Sequence, residues 1–363
     1  MGKLGVSVYP ERSTFEQDAA YLDLAAHYGF KRVFTSMLEI KGDQETVLAN
    51  FKAVIDHANA LDMEVMVDMN PALFAQLGVS YDNLAFFHEL GAYGIRLDLG
   101  FTGAEEAKMT RNPFDLKIEV NMSQGTHYID NIMAFSPKRE NLLGSHNFYP
   151  HRYSGLGQDF FDYATRLYTQ YNLNTAAFVN SHAATFGPWP TQDGLSSLES
   201  HRDLPIATQV THYVMMDTID DLIIGNAYAS EAELKAMAEA FNAEFPSLQV
   251  VPNSGMTDLE RTVIFDNLHS YRGDRSEYLL RSTQTRVKYA GEPFPAHDTE
   301  LIRRGDVLID NDGYGQYKGE TQIALQPMPN DGRVNVVGHL AESDLFLLNY
   351  LRPWSNFKLS EAQ

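Results

Sequence analysis

The sequence predicts an α/β chain in two parts: an N-terminal (β/α)8 TIM barrel and a small all-β domain after it. Three observations carry this reading. Strand-like runs alternate with helix-period stripes through the first two-thirds of the chain, and eight such strands can be placed. The segment they fill has the usual barrel length of about 250 residues. After Pro246 the texture changes to short β-like runs broken by turn residues.

The first strand is Leu4 to Tyr9, where Leu4, Val6 and Val8 alternate with Gly5, Ser7 and Tyr9 before Pro10 ends it. Thr14 and Gln17 then form a capping box, Phe15, Ala19, Leu22 and Ala26 follow at helical spacing, and Gly29 stands where a left-handed C-terminal residue is wanted. Arg32 to Met37 is the second strand, and Val47, Leu48, Phe51, Val54, Ile55 and Ala58 mark the second helix. Glu64 to Asn70, Gly94 to Gly100, Lys117 to Met122, Leu142 to Phe148, Thr175 to Asn180 and Leu222 to Asn226 complete the strands. Gln158 to Tyr171 and Glu231 to Phe245 are the clearest late helices, the second opened by a capping box of Ser230 and Glu233. A doubly wound open sheet competes, but no G-x-G-x-x-G follows the first strand. The boundary is placed between residues 248 and 249. Beyond it Leu279 to Tyr289, Asp306 to Asn311, Gln316 to Leu325 and Arg333 to His339 read as strands of a small barrel or sandwich.

Composition narrows the function. The chain has 363 residues, 44% of them hydrophobic, and a formal net charge of -20. So acidic a surface argues against a nucleic acid or an anionic membrane as partner, and an anionic small substrate would need locally placed Arg or Lys. There is no Cys, hence no disulfide framework and no thiolate nucleophile. The start, MGKLGVSVYPE, lacks the long apolar stretch of a signal peptide, and no run of about 18 apolar residues follows. The expectation is a mature, soluble, cytoplasmic protein; the oligomeric state is left open.

One strand breaks the apolar pattern. In YGIRLDLGF, Ile95, Leu97 and Leu99 share one face while Arg96 and Asp98 share the other. Val65 and Val67 alternate likewise with Met66 and Asp68, and Ile118 and Val120 with Lys117, Glu119 and Asn121. Turning the polar sets inward concentrates Asp68, Arg96, Asp98, Lys117, Glu119 and Asn121 on adjacent faces, with Asp68, Asp98 and Asn121 as the upper layer. Arg96 and Lys117 fit a buried ion network that neutralises Asp98 and Glu119. Asp68 and Asp98, at the carboxyl ends of their strands, suit general acid/base work, which needs one proton-bearing and one ionised carboxyl group.

Further polar groups stand after other strands: Glu11, Glu39, His146, Asn147 and Asn180, with Tyr149 and Arg152 as possible sugar or anion contacts. The long segment Ser181 to Pro205 offers Trp189, Glu199, His201 and Arg202 to a binding site. With no H-x-H pair and no H-E-x-x-H, neither a metal nor another cofactor is expected. In RSTQTRVKY, Arg281 and Arg286 fall on opposite faces if the strand is regular, so a common anion site requires a bulge.

On GVSVYPE, VDMNP, RLDLGF, SHNFYPHRYSGL, GP followed by DGLSSLESHR, and RSTQTR, nearly the whole chain resembles the bacterial 6-phospho-N-acetylmuramidases. The loop departs from that family's form at Asp193 and Ser196-Ser197. The resemblance implies a TIM barrel joined to a cyclophilin-like β domain. It also implies cleavage of the disaccharide of N-acetylmuramic acid 6-phosphate and N-acetylglucosamine, taken up by a phosphotransferase system, in peptidoglycan recycling. On that chemistry Asp68 and Asp98 are the catalytic pair, with Glu119 in reserve. Glu11, Asn121, His146, Asn147, Tyr149, Glu199 and Arg202 are candidate substrate contacts. The phosphate asks for Arg281 or Arg286 with Ser282, or for Arg202, or for the turn Gly225-Asn226. Two other functions stay open: a phosphosugar isomerase, aldolase or lyase using Asp98 and Lys117, and a non-enzymatic peptide- or protein-binding module. Inversion or retention is not readable from sequence.

Overall fold

The computed structural model describes residues 2–37, 44–69, 74, 77–191 and 193–362. The chain divides into two compact units, Met1–Phe241 and Asn242–Gln363. In the first, eight parallel strands close into a barrel in sequence order. They are β1 (Leu4–Ser7), β2 (Arg32–Ser36), β3 (Glu64–Met69), β4 (Gly94–Leu97), β5 (Lys117–Asn121), β6 (Leu142–Ser145), β7 (Asn174–Val179) and β8 (Asp221–Ile224). All eight expected strands are present, most of them shorter at the carboxyl end. The shortening matters, because Asp98 and Asn147 thereby lie on loops beyond the last paired residue.

Between them run α1 (Phe15–His27), α2 (Gln44–Ala60), α3 (Ala85–Leu90), α4 (Ala104–Met109), α5 (Tyr128–Ala134), α6 (Gln158–Thr169), α7 (Ile206–Met216) and α8 (Glu231–Asn242). Local chemistry fixes several ends. Thr14 and Gln17 cap α1 reciprocally, and Gly29 takes the left-handed conformation (φ 83°) that lets the chain turn into β2. Glu233 accepts from both the backbone and the hydroxyl of Ser230 at the start of α8.

One register detail positions the site. Arg96 is paired with Asp68 of β3 on one side and Glu119 of β5 on the other. Asp68 therefore belongs to the same tier as Arg96, with Asp98 one pleat farther along. One pleat beyond Arg32 on β2 and Asp221 on β8, Phe34 and Ile223 join Tyr9 and Phe178 in one buried apolar cluster.

The second unit is mostly sheet and barrel-like. Its strands β9 (Ser247–Pro252), β10 (His269–Ser270), β11 (Leu279–Ser282), β12 (Asp306–Asp310), β13 (Thr321–Ala324), β14 (Val334–Leu340) and β15 (Asn356–Glu361) form one sheet. The order is β10-β15-β9-β14-β12-β13-β11. Because β9 pairs with β14 and β15, the unit begins before the expected 248/249 boundary. Nor is it all β. Asp258–Phe265 is a helix, α9, opened by a reciprocal box of Thr257 and Glu260. The expected strand Leu279 to Tyr289 stops at Ser282, and Gln284–Lys288 winds into a short helix, α10.

Candidate active site

Alternation brings the charges inside the barrel, and their bonds prove the direction. Arg32 on β2 donates to Glu119 on β5 (2.5 Å) and to Asp221 on β8 (2.8 Å). β2 and β5 are not neighbours, so the first bond crosses the interior. Above it, Arg96 donates Nη1 to Asp68 (2.8 Å), Nε to the Ser145 hydroxyl (2.7 Å) and Nη2 to the side-chain oxygen of Asn147. It also lies 3.8 Å from Glu119 and 3.7 Å from Asp98. The result is an alternating ladder, Asp221–Arg32–Glu119–Arg96–Asp68. Each buried charge has an opposite neighbour, the condition under which burial is tolerated.

The ladder sorts the three carboxylates named from sequence. Glu119 is wholly buried between two guanidinium groups, and its Oε1 has no hydrogen-bond donor. Asp68 is buried as well. Burial pushes its carboxyl up to about 6 in spite of Arg96, with Asp98 and Glu119 adding to the rise. Asp98 differs: its side chain is 35% exposed, beyond the end of β4. Of the three it alone is presented to solvent.

Neighbouring polar groups shape this corner. Asn121 donates to the backbone carbonyl of Asp98 (3.2 Å) and accepts from the amide of Ser123 (2.8 Å), so it braces the loop that carries Asp98. The Tyr149 phenol, pushed up by burial, lies within the fields of Arg96 and Asp98 and bonds Ser123. Glu11, after β1, is solvent-exposed, yet crowding by surrounding protein pushes its carboxyl up to about 7. Both Glu11 and Asp68 act on the Tyr9 phenol.

Other expected contacts are engaged elsewhere. His146 points outward from β6 and is buried, its nitrogens bonded to the hydroxyls of Ser123 (3.1 Å) and Thr165 (2.9 Å), its ring stacked on Phe161. Burial drives it down to about 3, so it is neutral and structural. Glu199 accepts from the amides of Tyr153 and Gly155 (both 2.7 Å) and from Arg202 through both oxygens. Those bonds, Arg202 first, hold it down to about 2. Arg202 also donates to the carbonyls of Tyr149, Asp193, Gly194 and His151. A guanidinium so occupied knits loops together and has no donors left for phosphate. Arg152 is paired through both terminal nitrogens with Asp203, and Asn226 with the backbone of Ser181. Lys117 bonds Asn141 (2.7 Å) at the amino end of its strand, away from Asp98 and Glu119. His201 is buried against His212 (2.7 Å). Glu39 and Asn70 lie outside the described residues.

In the second unit Arg281 and Arg286 converge, where a regular strand would have parted them. The turn into α10 re-aims Arg286, and both reach the buried Glu320, Arg281 at 2.5 Å and Arg286 at 3.0 Å. Ser282 does not join them: its hydroxyl is buried near His269 and the amide of Ser270 (both 3.3 Å).

Sequence reasoning missed Arg32 and Asp221, although the signal was available. Arg32 shares a face with Phe34 and Ser36, and Asp221 opens β8. The alternation rule applied to β3, β4 and β5 would have turned both inward. Among the described residues no group of three or more His, Asp or Glu could hold a metal ion, and no helix is long and apolar enough to cross a membrane.

A TIM barrel that gathers carboxylates at the carboxyl ends of its strands, one exposed above a paired ladder, is the frame of an acid/base enzyme. The chain belongs to the 6-phospho-N-acetylmuramidase family: the family's N-terminal model matches residues 4–239 and its C-terminal model residues 246–360. It is therefore a glycosidase, and not the isomerase, aldolase or binding module that the residues alone left open. A solved structure described as an uncharacterized B. cereus protein is 45% identical, covers 99% of both chains and superposes with a TM-score of 0.91. Another, a conserved protein from a locus in Enterococcus faecalis with an unknown function, is 26% identical. It covers 99% of this chain and 96% of its own, with a TM-score of 0.77. No curated protein matches.

Proposed function

We propose that the chain hydrolyses the glycosidic bond between N-acetylmuramic acid 6-phosphate and N-acetylglucosamine, within peptidoglycan recycling. The observation that carries the reading is the contrast between Asp98 and Asp68. Asp98 is partly exposed beyond β4 and lies 3.7 Å from Arg96, as suits a carboxylate that acts on the anomeric carbon or on the attacking water. Asp68, pushed up to about 6, retains a proton at mildly acidic pH and suits transfer to the leaving oxygen. The bond from anomeric carbon to bridging oxygen breaks and that oxygen takes the donor's proton; water supplies hydroxide to the carbon and its remaining proton to the Asp98 carboxylate, and exchange with solvent returns both groups to their starting states. Glu11 is a second candidate donor, favoured by its exposure and by a carboxyl raised to about 7. The sugar and its phosphate come from the family description, and the expectation of a phosphotransferase-delivered substrate rests on the same resemblance.

Product analysis on phosphorylated and unphosphorylated muramyl disaccharides tests this. Release of N-acetylglucosamine from the phosphorylated compound, abolished by Asp98→Asn, is expected. Cleavage of neither compound, or preference for the unphosphorylated one, overturns the assignment.

A further inference from the structure

Asp98 opens the loop 98–103 between β4 and α4, in which Leu99, Gly100 and Thr102 are exposed. Its amide donates a long bond to the Met69 carbonyl (3.4 Å), and Asn121 donates to its carbonyl (3.2 Å). Neither bond fixes the far end of the loop. A loop free to settle lets the Asp98 carboxylate close its 3.7 Å gap to Arg96 into a tight pair, as Asp68 does at 2.8 Å. A carboxylate so paired is withdrawn from substrate.

The far end is held by an acid that the barrel chemistry does not use. Glu106, on α4, is wholly buried. As the third residue of its helix it reaches back to the Gly103 amide (2.7 Å), which is all that a helix cap requires. The same carboxylate goes further and accepts from the Phe101 amide and from the phenol of Tyr128, the first residue of α5. All three donors are neutral, so the buried charge is satisfied only while both amides and the phenol keep their places. Burial, with the bond to Glu106, drives the Tyr128 phenol far up, so it stays protonated and donates.

Gly100 shows that this hydroxyl is part of the loop's shape. A methyl group there would stand 1.8 Å from the Tyr128 hydroxyl oxygen and 2.8 Å from Glu106 Oε1, so the loop closes over the phenol only because position 100 has no side chain. Next to it the Phe101 ring rests on Phe74 and Tyr81, at centroid distances of 5.8 and 6.3 Å.

We propose that Glu106 and Tyr128 are positioning residues for the hydrolysis, given the role proposed for Asp98. Together they peg the loop from α4 and α5 and keep the Asp98 carboxylate at its distance from Arg96, available to substrate.

Tyr128→Phe removes only the hydroxyl. With the phosphorylated muramyl disaccharide, kcat is expected to fall at least about tenfold while KM stays within about twofold, since a reacting group displaced by about 1 Å can lose about 100-fold in rate. Hydrogen exchange at the Phe101 and Gly103 amides is expected to quicken. Glu106→Gln, which trades one acceptor oxygen for a donor, is expected to do the same, and the double variant to lose no more than the worse single one, because both break one clamp. Thr175→Val is the control: it deletes hydroxyl bonds to Thr218 and Asp220 near the amino end of β7, and its kcat is expected within about twofold of wild type. Added to Asp98→Asn, Tyr128→Phe is expected to leave the residual rate unchanged, because its effect passes through Asp98. Wild-type kcat in Tyr128→Phe and Glu106→Gln, unchanged exchange at both amides, or an equal fall in Thr175→Val overturns the clamp and leaves the role of Asp98 standing. So does a full further loss when Tyr128→Phe is added to Asp98→Asn. Wild-type turnover in Asp98→Asn instead refutes the role of Asp98, and the clamp with it.

Discussion

Replacing Arg96 by Met removes the middle charge of the ladder and tests the whole electrostatic account. Arg96 is the direct partner of Asp68 at 2.8 Å and lies 3.8 Å from Glu119 Oε1. Its loss leaves Asp68 buried without a counterion and Glu119 held by Arg32 alone. Breaking a buried pair by deleting one member costs about 3–5 kcal/mol. The cost should depend on pH in a definite direction. The Asp68 carboxyl is already raised in the folded protein to about 6, above its ordinary range, so the folded state holds the proton more tightly than the unfolded chain does. Without Arg96 it rises further, and the neutral acid then needs no counterion. Stability of the variant is therefore greatest at low pH and is lost as pH increases through the folded value, at up to about 1.4 kcal/mol per pH unit. Urea unfolding of wild type and Arg96→Met at pH 5 and pH 8 measures this: the destabilisation should be clearly larger at pH 8. An equal penalty at both pH values, or a penalty under about 0.5 kcal/mol at pH 8, would refute the reasoning.

Asp98→Asn should lower kcat by about 10²- to 10⁴-fold while leaving the melting temperature nearly unchanged, since the side chain is partly exposed and holds none of the direct hydrogen bonds of the buried ladder; steady-state kinetics with calorimetry decides it. In wild type kcat/KM should fall as pH rises through about 6, and Asp68→Asn should remove that limb; if the limb instead persists there and vanishes in Glu11→Gln, Glu11 is the donor. Arg202→Lys should loosen the loops around Tyr149 and Gly194, read as faster proteolysis near those residues, because an ammonium cannot reproduce the fan of bonds that the guanidinium makes. His146→Gln should leave the shape of the pH–rate profile unaltered, since a ring held down to about 3 does not titrate in the working range.

The barrel was legible because its strands obey a rule that needs no tertiary knowledge: alternation with period two, closed by capping boxes such as Thr14 with Gln17. The same rule found Asp68, Arg96, Asp98 and Glu119. It could not tell which cation meets which acid, because that depends on register and on bonds across the interior. Hence Lys117 was expected beside the acids, whereas Arg32, far away in sequence, is the residue that reaches Glu119. Loop residues were less legible still. His146, Glu199 and Arg202 have the chemistry of ligands, but His146 faces outward from β6, and backbone groups recruited from distant loops occupy the other two. In RSTQTR the error ran the other way. Regular alternation separates the two arginines, and only the switch from β11 to α10 turns both toward Glu320.

The placement of Asp98 follows from the length of β4. The strand pairs only from Gly94 to Leu97, so Arg96 is locked between Asp68 and Glu119 while Asp98, one pleat farther, leaves the sheet. Its backbone is retained by its amide, which donates to the Met69 carbonyl (3.4 Å), and by Asn121, which donates to its carbonyl (3.2 Å). A carboxylate in that position keeps water on one side and a fixed guanidinium on the other. It is 35% exposed and stands 3.7 Å from Arg96, outside the range of a close hydrogen-bonded pair. Extending the strand by one pleat would bury Asp98, and shortening it would release Arg96 from its register with Glu119. The two anomalous charges of YGIRLDLGF thus do different work because the last paired residue falls between them.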